Sequence, residues 1–173
     1  THTDPNVSWS TYLGGTGTDY GYSIAVDTSG ACYATGSTTT SGWVSGGWDT
    51  SQNGGMDGYV VKLNVAGEHE WSTYLGGAAD DCGYGIAVDA EGNIYATGYT
   101  HSSGWVSGGW DTILSGTTNP DGYAVKLNTW GEHVWSTYLG ANGSEEGYGI
   151  AVDADGNCYA TGSTTSTGWV SGG

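Results

Sequence analysis

The sequence predicts an all-β fold in which one unit of four antiparallel strands recurs along the chain. Three observations carry that prediction: a fixed internal period, a hairpin grammar repeated within it, and a composition suited to strands and tight turns. Trp9-Ser-Thr-Tyr-Leu13 returns at Trp71–Leu75 and at Trp135–Leu139, 62 and then 64 residues further on. Gly42-Trp-Val-Ser-Gly-Gly47 returns at Gly104–Gly109 and Gly168–Gly173 with the same two spacings. Two independent markers sharing a period of this size indicate stacked structural repeats. The two extra residues fall between Trp110 and Tyr123, which marks that stretch as the length-tolerant loop. The 173 residues include 34 glycines, 13 tyrosines and 9 tryptophans but no phenylalanine and only two basic residues. Amphipathic helices have little to be built from here, whereas hairpins with aromatic faces have much.

Within each period the elements follow in order, and we label them a to d. Strand a is Tyr22–Val26, and Asp27-Thr-Ser-Gly30 is a tight turn leading to strand b at Ala31–Thr35; residues 84–97 and 148–161 repeat this hairpin. After a long connection comes strand c, Asp57–Asn64, matched by Asp121–Asn128. A Gly-Glu-His turn then leads into strand d over residues 70–75. Strands c and d carry apolar or aromatic residues on both faces: Tyr59, Val61 and Leu63 against Val60, and Trp71, Thr73 and Leu75 against Tyr74. A sheet covered on both faces is what stacking side by side requires, whereas a two-layer sandwich leaves one face more polar. The expected architecture is therefore propeller-type blades, two complete repeats plus a truncated one. Residues 1–8 form an N-terminal extension, 9–21 a lone strand d and its loop, 22–83 the first blade, 84–147 the second and 148–173 the truncated third. That order supplies eleven strands. Closed propellers need about four to eight blades, so the chain is not a closed ring by itself. Thr1–Ser8 does not resemble the segment preceding the second Trp-Ser-Thr-Tyr-Leu strand and reads as a true amino terminus, while Gly173 falls inside a repeat where the other copies continue Trp-Asp-Thr.

The segments Trp-Ser-Thr-Tyr-Leu-Gly-Gly at 9–15 and 71–77, Gly-Tyr-x-Ile-Ala-Val-Asp at 21–27, 83–89 and 147–153, and Asp-Gly-Tyr-x-Val-Lys-Leu-Asn at 57–64 and 121–128 carry a family likeness. Together they resemble the seven-bladed beta-propeller repeat family of secreted and surface proteins of bacteria, over nearly the whole chain from Trp9. The resemblance implies blades and an extracellular or cell-surface location, and brings no catalytic residues with it. The connection between strands b and c is richer in glycine and tryptophan than that pattern.

Charge narrows the partners. Eighteen acidic residues against two basic ones give a net charge of −16, so phosphates are repelled, and neither nucleic acid nor insertion into a membrane is expected. No apolar run approaches the roughly 20 residues a bilayer demands, and no basic-then-apolar leader opens the sequence. Cys32 and Cys158 occupy one repeat position, where the middle copy has Ile94, which favours small apolar strand residues over a disulfide; Cys82 stands alone.

Three constellations invite functional readings. Asp27-Thr-Ser-Gly30, Asp89-Ala-Glu-Gly-Asn93 and Asp153-Ala-Asp-Gly-Asn157 open like calcium loops but lack the twelfth-position glutamate, and read better as hairpin turns. In an antiparallel blade the d–a and b–c connections share one end. That end gathers Asp19, Asp81 and Glu145 from the first set and Asp57 and Asp121 from the second, making an acidic face whose carboxylates suit calcium, with a solvated surface as the equal alternative. Trp43, Trp48, Trp105, Trp110 and Trp169 lie in or beside the b–c connections. They either stack on the sugar rings of glycans, as in a carbohydrate-binding, lectin-like oligomer, or pack at blade edges and subunit interfaces, the reading we favour.

Catalysis is not expected, because His2, His69, His101 and His133 have no metal-binding spacing and no nucleophile elbow or phosphate loop occurs. The function expected is instead an extracellular structural protein that assembles with itself head to tail into a fibre or surface layer. A strand formed by Ser8, Trp9, Thr11 and Leu13 of one copy would complete the blade left open beside Ile150, Val152 and Tyr159 of the next.

Overall fold

The computed structural model describes residues 8–116 and 118–167. Among them ten strands form three antiparallel sheets, and no helix occurs. The first sheet pairs β1 (Asp19–Val26), β2 (Cys32–Thr38), β3 (Asp57–Leu63) and β4 (His69–Leu75) in sequence order. The second repeats it with β5 (Asp81–Val88), β6 (Ile94–Thr100), β7 (Asp121–Leu127) and β8 (His133–Leu139), and the third is the hairpin β9 (Glu145–Val152) and β10 (Cys158–Thr164). The three sheets are not closed into a ring.

Local chemistry sets each turn. Asp27 Oδ1 accepts the Ser29 and Ala31 amides at 2.9 and 3.0 Å, and Gly30 follows at φ 88°, a left-handed conformation that glycine adopts without a Cβ penalty. Asp89 and Asp153 build the same turn, so these acids serve the backbone. In the c–d turns Asn64 and Asn128 each receive two downstream amides through Oδ1.

Strands a and b run further toward the acidic end than the sequence suggested, because a β-bulge keeps the ladder alive past Tyr22, Tyr84 and Tyr148. Opposite each bulge stands a glycine. A Cβ on Gly36 would lie 1.8 Å from the Tyr20 carbonyl oxygen, so no other residue fits. The bulged tyrosines meet from sheet to sheet, with ring centroids 5.2 Å apart for Tyr22–Tyr84 and 5.9 Å for Tyr84–Tyr148.

The sheets stack as blades. Strand β5 lies across β1 to β4, and β9 across β5 to β8. Strands β3 and β7 are buried on both faces, and one core cluster, including Tyr33, Val60, Leu75, Ile94, Tyr123 and Leu127, spans both complete sheets. The b–c connection also covers the outer edge of its own blade. Ser45 and Asp49 carbonyls accept the Ser72 and Tyr74 amides, both at 2.8 Å, and Ser107 and Asp111 do the same for Ser136 and Tyr138. An edge that would otherwise invite foreign strands is thereby satisfied.

One expectation fails. Ser8, Trp9, Thr11 and Leu13 form no strand, and Tyr12 is fully exposed. The reason is the missing ladder: no described strand c stands beside them to share backbone hydrogen bonds. They nevertheless lie where a strand d belongs. The Trp9 indole donates to the Val65 carbonyl at 3.2 Å, as Trp71 donates to Thr129 at 3.1 Å one blade later, and Leu13 packs on the Tyr59–Val61–Leu63 cluster.

Candidate functional site: the acidic blade end and its tryptophans

Asp19, Asp81 and Glu145 each begin a strand a, and their carboxylates are held by donors of the protein itself. Asp81 Oδ1 accepts the Thr100 hydroxyl, while its Oδ2 accepts the Ser102 hydroxyl and the Gly77 amide, both at 2.8 Å. Asp19 is bound by Thr38, Thr40 and the Gly15 amide, and Glu145 by Thr164 together with the Ser166 and Ala141 amides. Each carboxylate thus ties its d–a corner to the end of strand b, where the b–c connection departs. Strand register explains the meeting, since Asp19 and Asp81 sit directly opposite Thr38 and Thr100. Burial pushes the Asp81 carboxyl up despite its donors. For Glu145, in a sheet lacking its outer half among the described residues, burial opposes ionisation less than the Ser166, Ala141 and Thr164 hydrogen bonds favour it, and its pKa falls.

Asp57 and Asp121 differ. Each begins a strand c and, like Asp81 and Glu145, is 1% exposed or less, so hydrogen-bond donors and not burial set this pair apart. Asp57 Oδ2 accepts the Asn53 amide at 2.9 Å and Asp121 Oδ2 the Ser115 amide at 2.8 Å, but the Oδ1 of each is buried without a partner. Desolvation, with repulsion from neighbouring acids, raises both pKa values to about 6. The five expected calcium ligands are therefore gathered at one end of the blades, in two distinct roles. Among the described residues no group of three or more His, Cys, Asp or Glu is placed to hold a metal ion.

The tryptophans also divide. Trp43 and Trp105 pack edge-on to Tyr59 and Tyr123 at 5.1 and 5.0 Å and donate their indole N–H groups to Thr38 and Thr100, so they belong to the blade. Trp48 reaches the next blade: its ring stacks on His133 with centroids 4.3 Å apart, and its amide donates to the Gly131 carbonyl at 3.0 Å. Trp110, its repeat equivalent, is 77% exposed. Trp169 lies outside the described residues. The threonines that clasp the acids, and the stacking of Trp48 on a histidine, were missed in the sequence; the hydroxyl-rich runs after each strand b, opposite an acid in the same row, were the available signal. Cys32, Cys82 and Cys158 are free thiols, the first two buried.

Four-stranded meanders stacked along their inner strands, tied at one end by carboxylate–hydroxyl clasps, define a protein of β-propeller blades. The family model described as beta-propeller repeat matches residues 8–42, 70–104 and 134–168, and the chain belongs to that family. The second and third matches open in strand d and the first in the Ser8–Leu13 segment that holds the same place, and each continues through a and b into the b–c connection, so the family unit begins ahead of the sheet it enters. The chain is also similar to an uncharacterized WD repeat-containing protein of Acanthamoeba polyphaga mimivirus, at 27% identity over 104 residues, which cover 58% of this chain and 8% of that protein's length.

Proposed function

We propose that the chain is an extracellular structural protein whose blades join head to tail with those of further copies to build a fibre or surface layer. The observation that carries this reading is the unequal covering of equivalent strands. β2 and β6 are almost wholly buried, whereas β10 is exposed along nearly its whole length, with β9 as its only described sheet partner. At the other end Tyr20, Tyr22, Ile24 and Val26 of β1 are exposed as well. Apolar faces and strand edges of this kind are what a second blade covers. The Trp9 segment supports the polarity of the contact, because it occupies a strand-d place ahead of the first blade. The acidic, lysine-poor composition and the family resemblance support the extracellular location. Deleting Thr1–Leu13 should leave a folded but unassembled chain on size-exclusion chromatography; an unchanged polymer removes this segment from the joint.

Calcium enters the proposal as a stabiliser at Asp57 Oδ1 and Asp121 Oδ1, buried carboxylate atoms without a hydrogen-bond partner, with backbone carbonyls completing the shell. A melting temperature unchanged at millimolar calcium removes it. The carbohydrate-binding alternative has Trp110 and Trp130 in its support, at 77% and 70% exposure, and a glycan array tests it. The burial of Trp105 and the engagement of Trp48 between blades favour the structural reading.

A further inference from the structure

Of the thirteen tyrosines in the chain, six lie fully buried in the blades. Five of the remaining seven form one unbroken row along strands a and b: Tyr20 and Tyr22 on β1, Tyr84 on β5, Tyr99 on β6 and Tyr148 on β9. Ring centroids are 5.9 Å apart for Tyr20–Tyr22, 5.2 Å for Tyr22–Tyr84, 5.7 Å for Tyr84–Tyr99 and 5.9 Å for Tyr84–Tyr148. The bulges build this row. Tyr22, Tyr84 and Tyr148 are the residues that each bulge leaves out of the ladder, and a residue freed from pairing has its side chain re-aimed.

Phenol rings that touch and also meet solvent have a chemistry that core tyrosines lack. Tyr20, Tyr22 and Tyr148 are exposed, and Tyr84 stays partly exposed although a tyrosine of a neighbouring blade packs on either side of it. The row therefore meets solvent at its centre as well as at its ends. Tyr22 and Tyr84 are its closest pair, one from each complete blade, with 75° between their ring planes. The two rings of a biphenol are twisted about their common bond, so coupling asks little reorientation of this pair. The neighbouring Cys82 thiol is buried, and burial pushes its pKa up to about 11, so it stays protonated and does not offer peroxide a reactive thiolate.

We infer that Tyr22 and Tyr84 are an oxidative cross-linking site, at which hydrogen peroxide and a haem peroxidase join the two complete blades through a carbon–carbon bond between the rings. Each phenol gives up one electron and one proton. The two radicals couple at carbons ortho to their hydroxyls, and the hydrogen on each joined carbon moves to its own ring's oxygen, which restores both phenols. Hydrogen peroxide takes up the two electrons and two protons and leaves as two waters. Rings already held in contact couple without a diffusive search, and contact along the row lets a radical formed at any exposed member reach the closest pair. Tyr22 and Tyr84 are 62 residues apart in the sequence, so the bond constrains the unfolded chain in the manner of a disulfide. It needs no second copy and stands apart from assembly.

The purified full chain at low micromolar concentration, treated with a haem peroxidase and hydrogen peroxide, should gain the blue fluorescence of a biphenol while its mass stays that of the monomer less two hydrogens. Cleavage after aspartate should then release residues 20–27 joined to residues 82–89. Tyr22→Phe and Tyr84→Phe keep a ring in place but remove a phenol, and each should lower the yield of that joined peptide about tenfold or more with an unchanged circular dichroism spectrum. The treated chain should also unfold at a higher urea concentration than the untreated one, a shift absent from treated Tyr84→Phe. Tyr12, fully exposed and outside the row, reports what exposure alone does. Absence of the joined peptide, a yield indifferent to both substitutions, or coupling through Tyr12 in preference to Tyr22 and Tyr84 overturns the inference.

Discussion

Replacing Asp57 with asparagine should stabilise the chain at neutral pH, although an aspartate at this repeat position begins strand c in both complete blades. The side chain is 1% exposed, one oxygen has no donor, and burial raises its pKa from the ordinary 3.8 to about 6. A folded-state pKa above the unfolded value means that the folded chain holds the proton more tightly. Its stabilising contribution is complete below about pH 3.8 and is lost as pH rises through about 6. At about 1.4 kcal/mol for each pKa unit, ionised Asp57 costs up to about 3 kcal/mol above pH 6. Asparagine keeps an acceptor for the Asn53 amide and carries no charge. In urea unfolding with a chelator present, Asp57→Asn should gain about 1–3 kcal/mol at pH 7.5 and little at pH 4, where aspartic acid is already neutral. A variant less stable than the parent at pH 7.5, or a gain that does not change with pH, would refute the reasoning. Asp121 has the same environment and should respond in the same way.

Gly36→Ala should cost about 2–4 kcal/mol in the same assay, because the added Cβ meets the Tyr20 carbonyl and the bulge must break; a neutral substitution would show that the bulge is dispensable. Asp81→Ala should cost about 2–4 kcal/mol by leaving the Thr100 and Ser102 hydroxyls buried without their acceptor. Its signature is faster amide hydrogen exchange over residues 102–111, and uniform acceleration along the chain would contradict a local clasp. Asp27→Ala removes an acceptor of two turn amides and should cost about 1 kcal/mol without altering exchange in the second blade.

Regular features were legible in the sequence because they repeat or follow from one residue type. The period announced the blades, apolar residues on both faces of strands c and d announced stacking, and Asp-x-x-Gly announced the hairpin turns. The remainder depends on register between distant segments. Asp19 meets Thr38 only because a bulge at Tyr22 keeps both strands paired to their ends, so the hydroxyl clasp was hidden behind an acidic count. Equal-looking acids separated for the same reason: Asp81 faces a row of donors, whereas Asp57 has a donor on one side only. The Gly-Trp-Val-Ser-Gly-Gly segment looked like a loop and proves to be the edge partner of strand d, which requires Gly47 to approach the Ser72 carbonyl closely. The segment from Ser8 to Leu13 carries a strand's sequence, but a strand also needs a neighbour, and no local pattern supplies one.

Head-to-tail joining of blades is tested most directly by the mass of the purified full chain in solution, measured by light scattering behind size-exclusion chromatography over a hundredfold range of concentration. Species at multiples of the monomer mass should grow with concentration, and should shrink toward monomer when Thr1–Leu13 is deleted. A chain that stays monomeric at every concentration would contradict it.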